Sequence, residues 1–184
     1  MLMCSLRTVS TKEDRSSERY ALLKRLFGIA GELFPHIEFR IEEALFSFHA
    51  QAYVFGSRQT VSLLGGLAFH MHLKKDGLLL TILHEIGHHV APGPRLTRID
   101  VLSCDCAADR WAVTEGRRLF ALHGVTLDVQ KALSEIELAL AGVSPPYNLE
   151  AGRWCFDWQR RKSDLTDVPM SQLTDCEFLL LCTE

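Results

Sequence analysis

Apolar side chains at positions 22, 23, 26, 27, 30, 33 and 34 follow the three- and four-residue spacing of one helical face. The spacing predicts an amphipathic helix opened by Ser16 or Ser17 and stopped by Pro35. Beyond it the period shortens to two. His36-Ile37-Glu38-Phe39-Arg40-Ile41-Glu42 alternates polar and apolar, as a half-buried strand does. Residues 45–55 are aromatic-rich and loosely alternating, which predicts a second strand. Gly56-Ser57-Arg58 reads as a turn, and Gln59 to Leu64 as a third strand closed by Gly65-Gly66. Short strands joined by turns predict a small, mostly antiparallel sheet of three to four strands.

After Asp76 the helical period returns. Leu79, Leu80, Ile82, Leu83, Ile86 and Val90 form a wide apolar stripe that Pro92-Gly93-Pro94 ends. A further helix fits about 101–122, with Gly124 as its stop. Another fits about 127–141, opened by Asp128 and closed by Gly142 and Pro145-Pro146. The chain has no internal repeat and reads as a single α+β domain over 1–184. Residues 1–15 form a mobile lead-in, and a Trp- and Arg-rich extension over 147–184 packs on the domain as short helices or irregular structure.

Composition narrows the function classes. Apolar residues make up 47% and charged residues 23%, ordinary for a globular protein with a core. The net charge of −3 gives no electrostatic reason to expect nucleic acid or an anionic membrane as a partner. The one dense basic run, Arg160-Arg161-Lys162, is followed by Asp164 and Asp167 and reads as a solvated turn. No segment reaches the roughly 20 apolar residues that span a bilayer. Met1 to Val9 lacks a signal-peptide core, so a cytoplasmic location is expected. The six Cys fit thiols better than a disulfide framework.

Against this background one segment stands out: His84-Glu85-Ile86-Gly87-His88-His89. Two His four residues apart share a helical face, where both imidazoles can reach one zinc ion at about 2.0–2.1 Å. Glu85 follows the first His, about 100° around the helix. Its carboxylate can reach a water on the open zinc position, take its proton and so activate it for attack on a carbonyl. Polar groups buried in an otherwise apolar stretch are costly unless bound. His89 reads as an outer-face or supporting residue.

Catalytic zinc usually takes three protein ligands and leaves one position for water. Ser103-Cys104-Asp105-Cys106-Ala107-Ala108-Asp109 supplies candidates. Asp105 and Asp109 lie four apart on one helical face, so one can bind zinc while the other fixes a ligand His. Cys104 and Cys106 are rival ligands, because thiolates bind zinc well. Each points about 100° away from Asp105, so at most one of the three faces the metal.

The order of these motifs resembles the core of gluzincin metallopeptidases. The run from Val61 to Ala68, then Gly77 to His89, then Asp105 to Ala112 is most similar to small gluzincins, the CAAX prenyl endopeptidase group and ImmA/IrrE-type regulatory peptidases. In that pattern a strand precedes the His-Glu-x-x-His helix, and a later helix carries Glu-x-x-Ala-Asp or Glu-x-x-Ala-Asn. The likeness covers roughly residues 60–113. It implies a zincin-like fold, with the sheet packed on an active-site helix. It implies Zn2+ held by His84, His88 and Asp105, Glu85 as catalytic base, and Asp109 as hydrogen-bond partner of a ligand His. The activity implied is a zinc-dependent endopeptidase acting on protein or peptide substrates. The departure is Asp105, which stands where the family usually has Glu and is one methylene shorter. The second helix must therefore lie nearer the zinc.

By the same resemblance, the strand over Gln59 to Leu64 forms the edge of the cleft, where a peptide can pair through its backbone. Tyr147, His123 and Arg153 are conceivable oxyanion stabilisers, although a structural role fits each better, and His70 and His72 could flank the cleft but read rather as exposed loop or helix-start residues. The alternative function is a zinc-binding regulatory or interaction module without turnover, against which Glu85 argues. A deformylase-like hydrolase would need a Cys ligand upstream of the helix, and none of the Cys is suitably placed there.

Overall fold

The computed structural model describes residues 13–93, 95–96 and 99–141. Ser16 caps the first helix, α1 (Ser17–Leu33), by accepting a hydrogen bond from the Arg19 amide. Its buried face is Leu23, Leu26 and Ala30, as the spacing predicts, together with Arg19. The Arg19 guanidinium donates to the carbonyls of His70 and Leu73, which lets a cation sit inside. Residues 13–15 are anchored, in contrast to the expected mobile lead-in. Glu13 pairs with His70, and the Asp14 amide donates to the Phe69 carbonyl. The rest of the lead-in and the extension over 147–184 lie outside the described residues.

Three strands follow: β1 (Ile37–Glu42), β2 (Ala50–Phe55) and β3 (Arg58–Leu64). Gly56, at a φ of +60°, and Ser57 make a two-residue hairpin loop between Phe55 and Arg58. The sheet order is β1-β3-β2. β2 is antiparallel to β3, but β1 is parallel to it, so the sheet is mixed and not mostly antiparallel. The connection over 43–49 carries the chain past the central position, and β3 returns to fill it. β3 is buried from Thr60 to Leu64, as a strand covered on both faces must be. The expected cleft edge at Gln59 to Leu64 is thus the middle of the sheet, and β2 is an outer strand.

Gly65-Gly66 does more than close β3. It opens a short helix, α2 (Gly65–Ala68), tucked under the preceding loop. A Cβ on Gly66 would stand 2.2 Å from the Phe46 carbonyl oxygen, so only glycine fits. Next comes α3 (Lys75–Val90), where only Lys75, Thr81 and Val90 escape full burial. A helix buried nearly all round forms the middle of the core. Its start is capped from elsewhere: Glu135 accepts hydrogen bonds from the Lys74 and Gly77 amides at 2.9 and 2.7 Å.

A short antiparallel pair, β4 (Arg95–Leu96) and β5 (Ile99–Ser103), separates α3 from the next helix. Residues 101–103, expected to be helical, are therefore strand. Helix then runs as α4 (Asp105–Trp111), a π-helical turn over Ala112–Gly116, and α5 (Arg117–Leu122). The last helix among the described residues is α6 (Val129–Leu140), capped by Asp128, which accepts from the Lys131 amide. The architecture is α+β, with a small mixed three-stranded sheet and several helices around α3. No helix among the described residues is long and apolar enough to cross a membrane.

Candidate metal centre

α3 carries Asp76, His84, Glu85, His88 and His89 into the interior, and each needs a partner there. Asp76 accepts from the Asp128 amide at 3.1 Å and pairs with Lys75 and Lys131. His89 is not on an outer face. It is buried, and its Nε2 lies 3.0 Å from the Thr60 carbonyl oxygen, which fastens α3 to the central strand. Burial pushes its pKa down, so it is held neutral.

His84 and His88 are arranged differently. Their rings stand 4.6 Å apart, nearly perpendicular, with the two Nε2 atoms 3.1 Å from each other. The other nitrogens face outward. His88 Nδ1 is 2.6 Å from the Ser103 carbonyl oxygen, and His84 Nδ1 is 2.7 Å from Asp109 Oδ1. A carbonyl or carboxylate oxygen can only accept, so each Nδ1 carries a ring proton, and a ring with no second proton presents a lone pair at Nε2. Asp105 Oδ1 lies 3.5 Å from His84 Nε2 and 3.8 Å from His88 Nε2.

Three electron-pair donors thus face one another in a triangle with edges of 3.1, 3.5 and 3.8 Å. Ligands placed tetrahedrally at about 2.0–2.1 Å from zinc would stand about 3.3 Å apart. A shared proton could bridge two of the three atoms, whereas a metal-sized cation could meet all three. The residues fit zinc by number, chemistry and spacing.

Local sequence explains how the triangle is positioned. The four-residue spacing puts both His on one face of α3. Asp105 opens α4, and Asp109, one turn later, reaches the far side of the first His. Ser103 fixes the approach: its hydroxyl donates to the Ala91 carbonyl at 2.7 Å while its own carbonyl holds His88. Among the described residues this is the cluster whose ligand atoms all lie within 4.8 Å of one another. Cys104 and Cys106, the expected rivals, are not in it. Cys104 is buried in the core and Cys106 packs against it.

Glu85 is buried beside the triad, and its carboxylate accepts no hydrogen bond from any described residue. Its charge reaches His49, at the start of β2, where it opposes the burial that pushes that imidazole's pKa down. Sequence reasoning did not find His49, because a lone His ahead of a strand carries no spacing signal. It also could not find the Ser103 carbonyl, since every residue has one. His70 is buried edge-on against Phe48 and is not an exposed loop residue. His123 stands 3.8 Å from Glu32 of α1, while Tyr147 and Arg153 lie outside the described residues. Comparison with protein-family models, curated proteins and solved structures gave no match.

Proposed function

We propose that the protein is a zinc-dependent endopeptidase with a zincin-like active site. The observation that carries this reading is the convergence of two Nε2 atoms and one carboxylate oxygen next to Glu85, whose carboxylate accepts no hydrogen bond from a described residue. In this reading His84, His88 and Asp105 are the ligands, and three protein ligands leave a fourth position open. Zinc bound there would supply Lewis acidity to a water and to the substrate carbonyl.

The chain's own groups do the rest. Glu85 accepts the proton of the attacking water and passes it to the departing amine. Asp109 and the Ser103 carbonyl hold both imidazoles in the tautomer that presents Nε2. β2 pairs with β3 on one side only, so its other edge can receive an extended peptide by backbone hydrogen bonds. Such pairing favours protein or peptide substrates over small molecules.

Metal analysis of wild type, Glu85→Gln and Asp105→Ala, combined with a casein or self-cleavage assay, tests the proposal. Wild type is expected to hold one zinc per chain. Glu85→Gln is expected to keep zinc and lose activity by about 10²–10⁴-fold, the range of a general base. Asp105→Ala is expected to bind zinc weakly. Absence of stoichiometric zinc from wild type sinks the reading. Loss of zinc from Cys106→Ser, with retention in Asp105→Ala, would show that the third ligand is misassigned.

A further inference from the structure

The third ligand is a short carboxylate, and the helix that carries it crosses α3 unusually closely. A Cβ on Gly87 would stand 2.7 Å from the Ala108 carbonyl oxygen and 2.8 Å from the Ala108 Cα. Both atoms are backbone, so no side chain can swing away. Carbon atoms in contact rest at about 3.5–4.0 Å, so an alanine at 87 would drive α4 outward by roughly 0.7–1.2 Å. A methylene adds about 1.5 Å of bond length to a side chain, somewhat less along its direction of reach. The two lengths nearly match.

Gly87 and Ala108 are also well placed to act on the triangle. Gly87 lies between Glu85 and His88, and Ala108 is three residues from Asp105 on the same helix. With α4 seated against Gly87, Asp105 Oδ1 reaches to 3.5 and 3.8 Å from the two Nε2 atoms. A glutamate at 105 would overshoot or have to buckle there, and an aspartate on a helix displaced outward would fall short.

We propose that Gly87 is a positioning residue for the third ligand. Its bare backbone sets the α3–α4 separation at which aspartate, and not glutamate, completes the triad. This inference rests on the metal-site reading above, and it makes positions 87 and 105 one length-matched pair.

The test is a double-mutant cycle in zinc affinity. Wild type, Gly87→Ala, Asp105→Glu and the double variant are titrated against a chromophoric chelator, and Co2+-loaded samples report ligand geometry by visible absorption. Each single variant is expected to bind zinc about tenfold more weakly, as supporting-residue changes do. The double variant should recover about tenfold relative to the product of the two losses, within the range for coupled sites. Its Co2+ spectrum should return toward that of wild type. Independent, multiplicative losses would overturn the proposal. If Gly87→Ala is too unstable to purify, Asp105→Glu alone decides: affinity equal to or tighter than wild type overturns the length match, and tenfold weaker binding supports it. Multiplicative losses around a zinc-binding, active wild type leave the peptidase reading standing. Zinc binding with coupled losses but no peptidase activity leaves the length match standing and removes the peptidase. A wild type without zinc removes both.

Discussion

Replacing Asp109 disturbs the site without touching any atom of the His84–His88–Asp105 triangle. Its Oδ1 lies 2.7 Å from His84 Nδ1, the length of a charge-assisted hydrogen bond, and only 8% of the residue is exposed. Asn keeps an oxygen acceptor of the same shape and loses the charge. Hydrogen bonds to charged groups contribute about 1.5–3 kcal/mol, against about 0.5–1.5 for neutral pairs. The difference of about 1–1.5 kcal/mol corresponds to roughly tenfold in zinc affinity. Asp109→Ala removes the bond altogether and frees the ring to rotate or change tautomer, so a loss of up to about 100-fold is expected. Chelator competition near neutral pH, with circular dichroism to confirm the fold, should rank wild type above Asn and Asn above Ala. A folded Asp109→Ala protein that binds zinc as tightly as wild type would refute the claim that this carboxylate fixes His84.

Further outcomes follow from neighbouring features. Glu135→Ala leaves the Lys74 and Gly77 amides without their acceptor at the start of α3. A stability loss of about 2–4 kcal/mol is expected, read as a lower urea midpoint at unchanged slope. Burial, aided by the charges of His72 and Arg19, pushes the His70 pKa down from 6.5 to about 4. Above pH 6.5 both folded and unfolded states are neutral at this residue. Between about 6.5 and 4 the unfolded chain binds the proton more readily, so stability falls as pH drops through that window. His70→Phe should flatten this part of a urea-unfolding profile. Zinc at a thousandfold excess over its Kd should stabilise the fold by about 4 kcal/mol, an increment that a chelator removes. Thermal melts should show the increment retained in Glu85→Gln and lost in His88→Ala.

Helix ends were readable because their chemistry is local. Ser16 caps α1, Pro35 follows its last turn, and Asp128 caps α6, each within a few residues of the boundary it sets. Strand order was not readable from turns alone, since turns say which strands are consecutive and not which are neighbours. The connection over 43–49 is long enough to carry the chain to the far side of the sheet. No local signal marked β3 as central: Thr60-Val61-Ser62-Leu63 alternates polar and apolar as a strand with one wet face does, yet all four are buried. Residues 99–101 alternate apolar and polar, but Val101-Leu102 breaks the pattern and the helical period of the segment that follows masks it. Glu135 as the cap of α3, and the Ser103 carbonyl as the partner of His88, come from distant or featureless positions that no local pattern encodes.

The three histidines of α3 show why spacing alone was an incomplete argument. His84, His88 and His89 are all buried, and all place one ring nitrogen against an oxygen that can only accept. Each is therefore fixed in one tautomer, and each has a second nitrogen bearing a lone pair. For His89 that nitrogen, Nδ1, is buried with no hydrogen-bond partner. A single orphaned lone pair costs about 1–3 kcal/mol and is a tolerable expense for tying a helix to a sheet. For His84 and His88 the second nitrogens point at each other across 3.1 Å, with a carboxylate oxygen closing the triangle. Lone pairs that face one another repel, and a low-dielectric interior strengthens that repulsion. Hydrophobic packing gives no reason to aim three lone pairs at one point, whereas a cation makes every one of those contacts favourable. The four-residue spacing selects two of the three histidines as candidates, and the direction of their hydrogen bonds sets that pair apart from a core histidine such as His89.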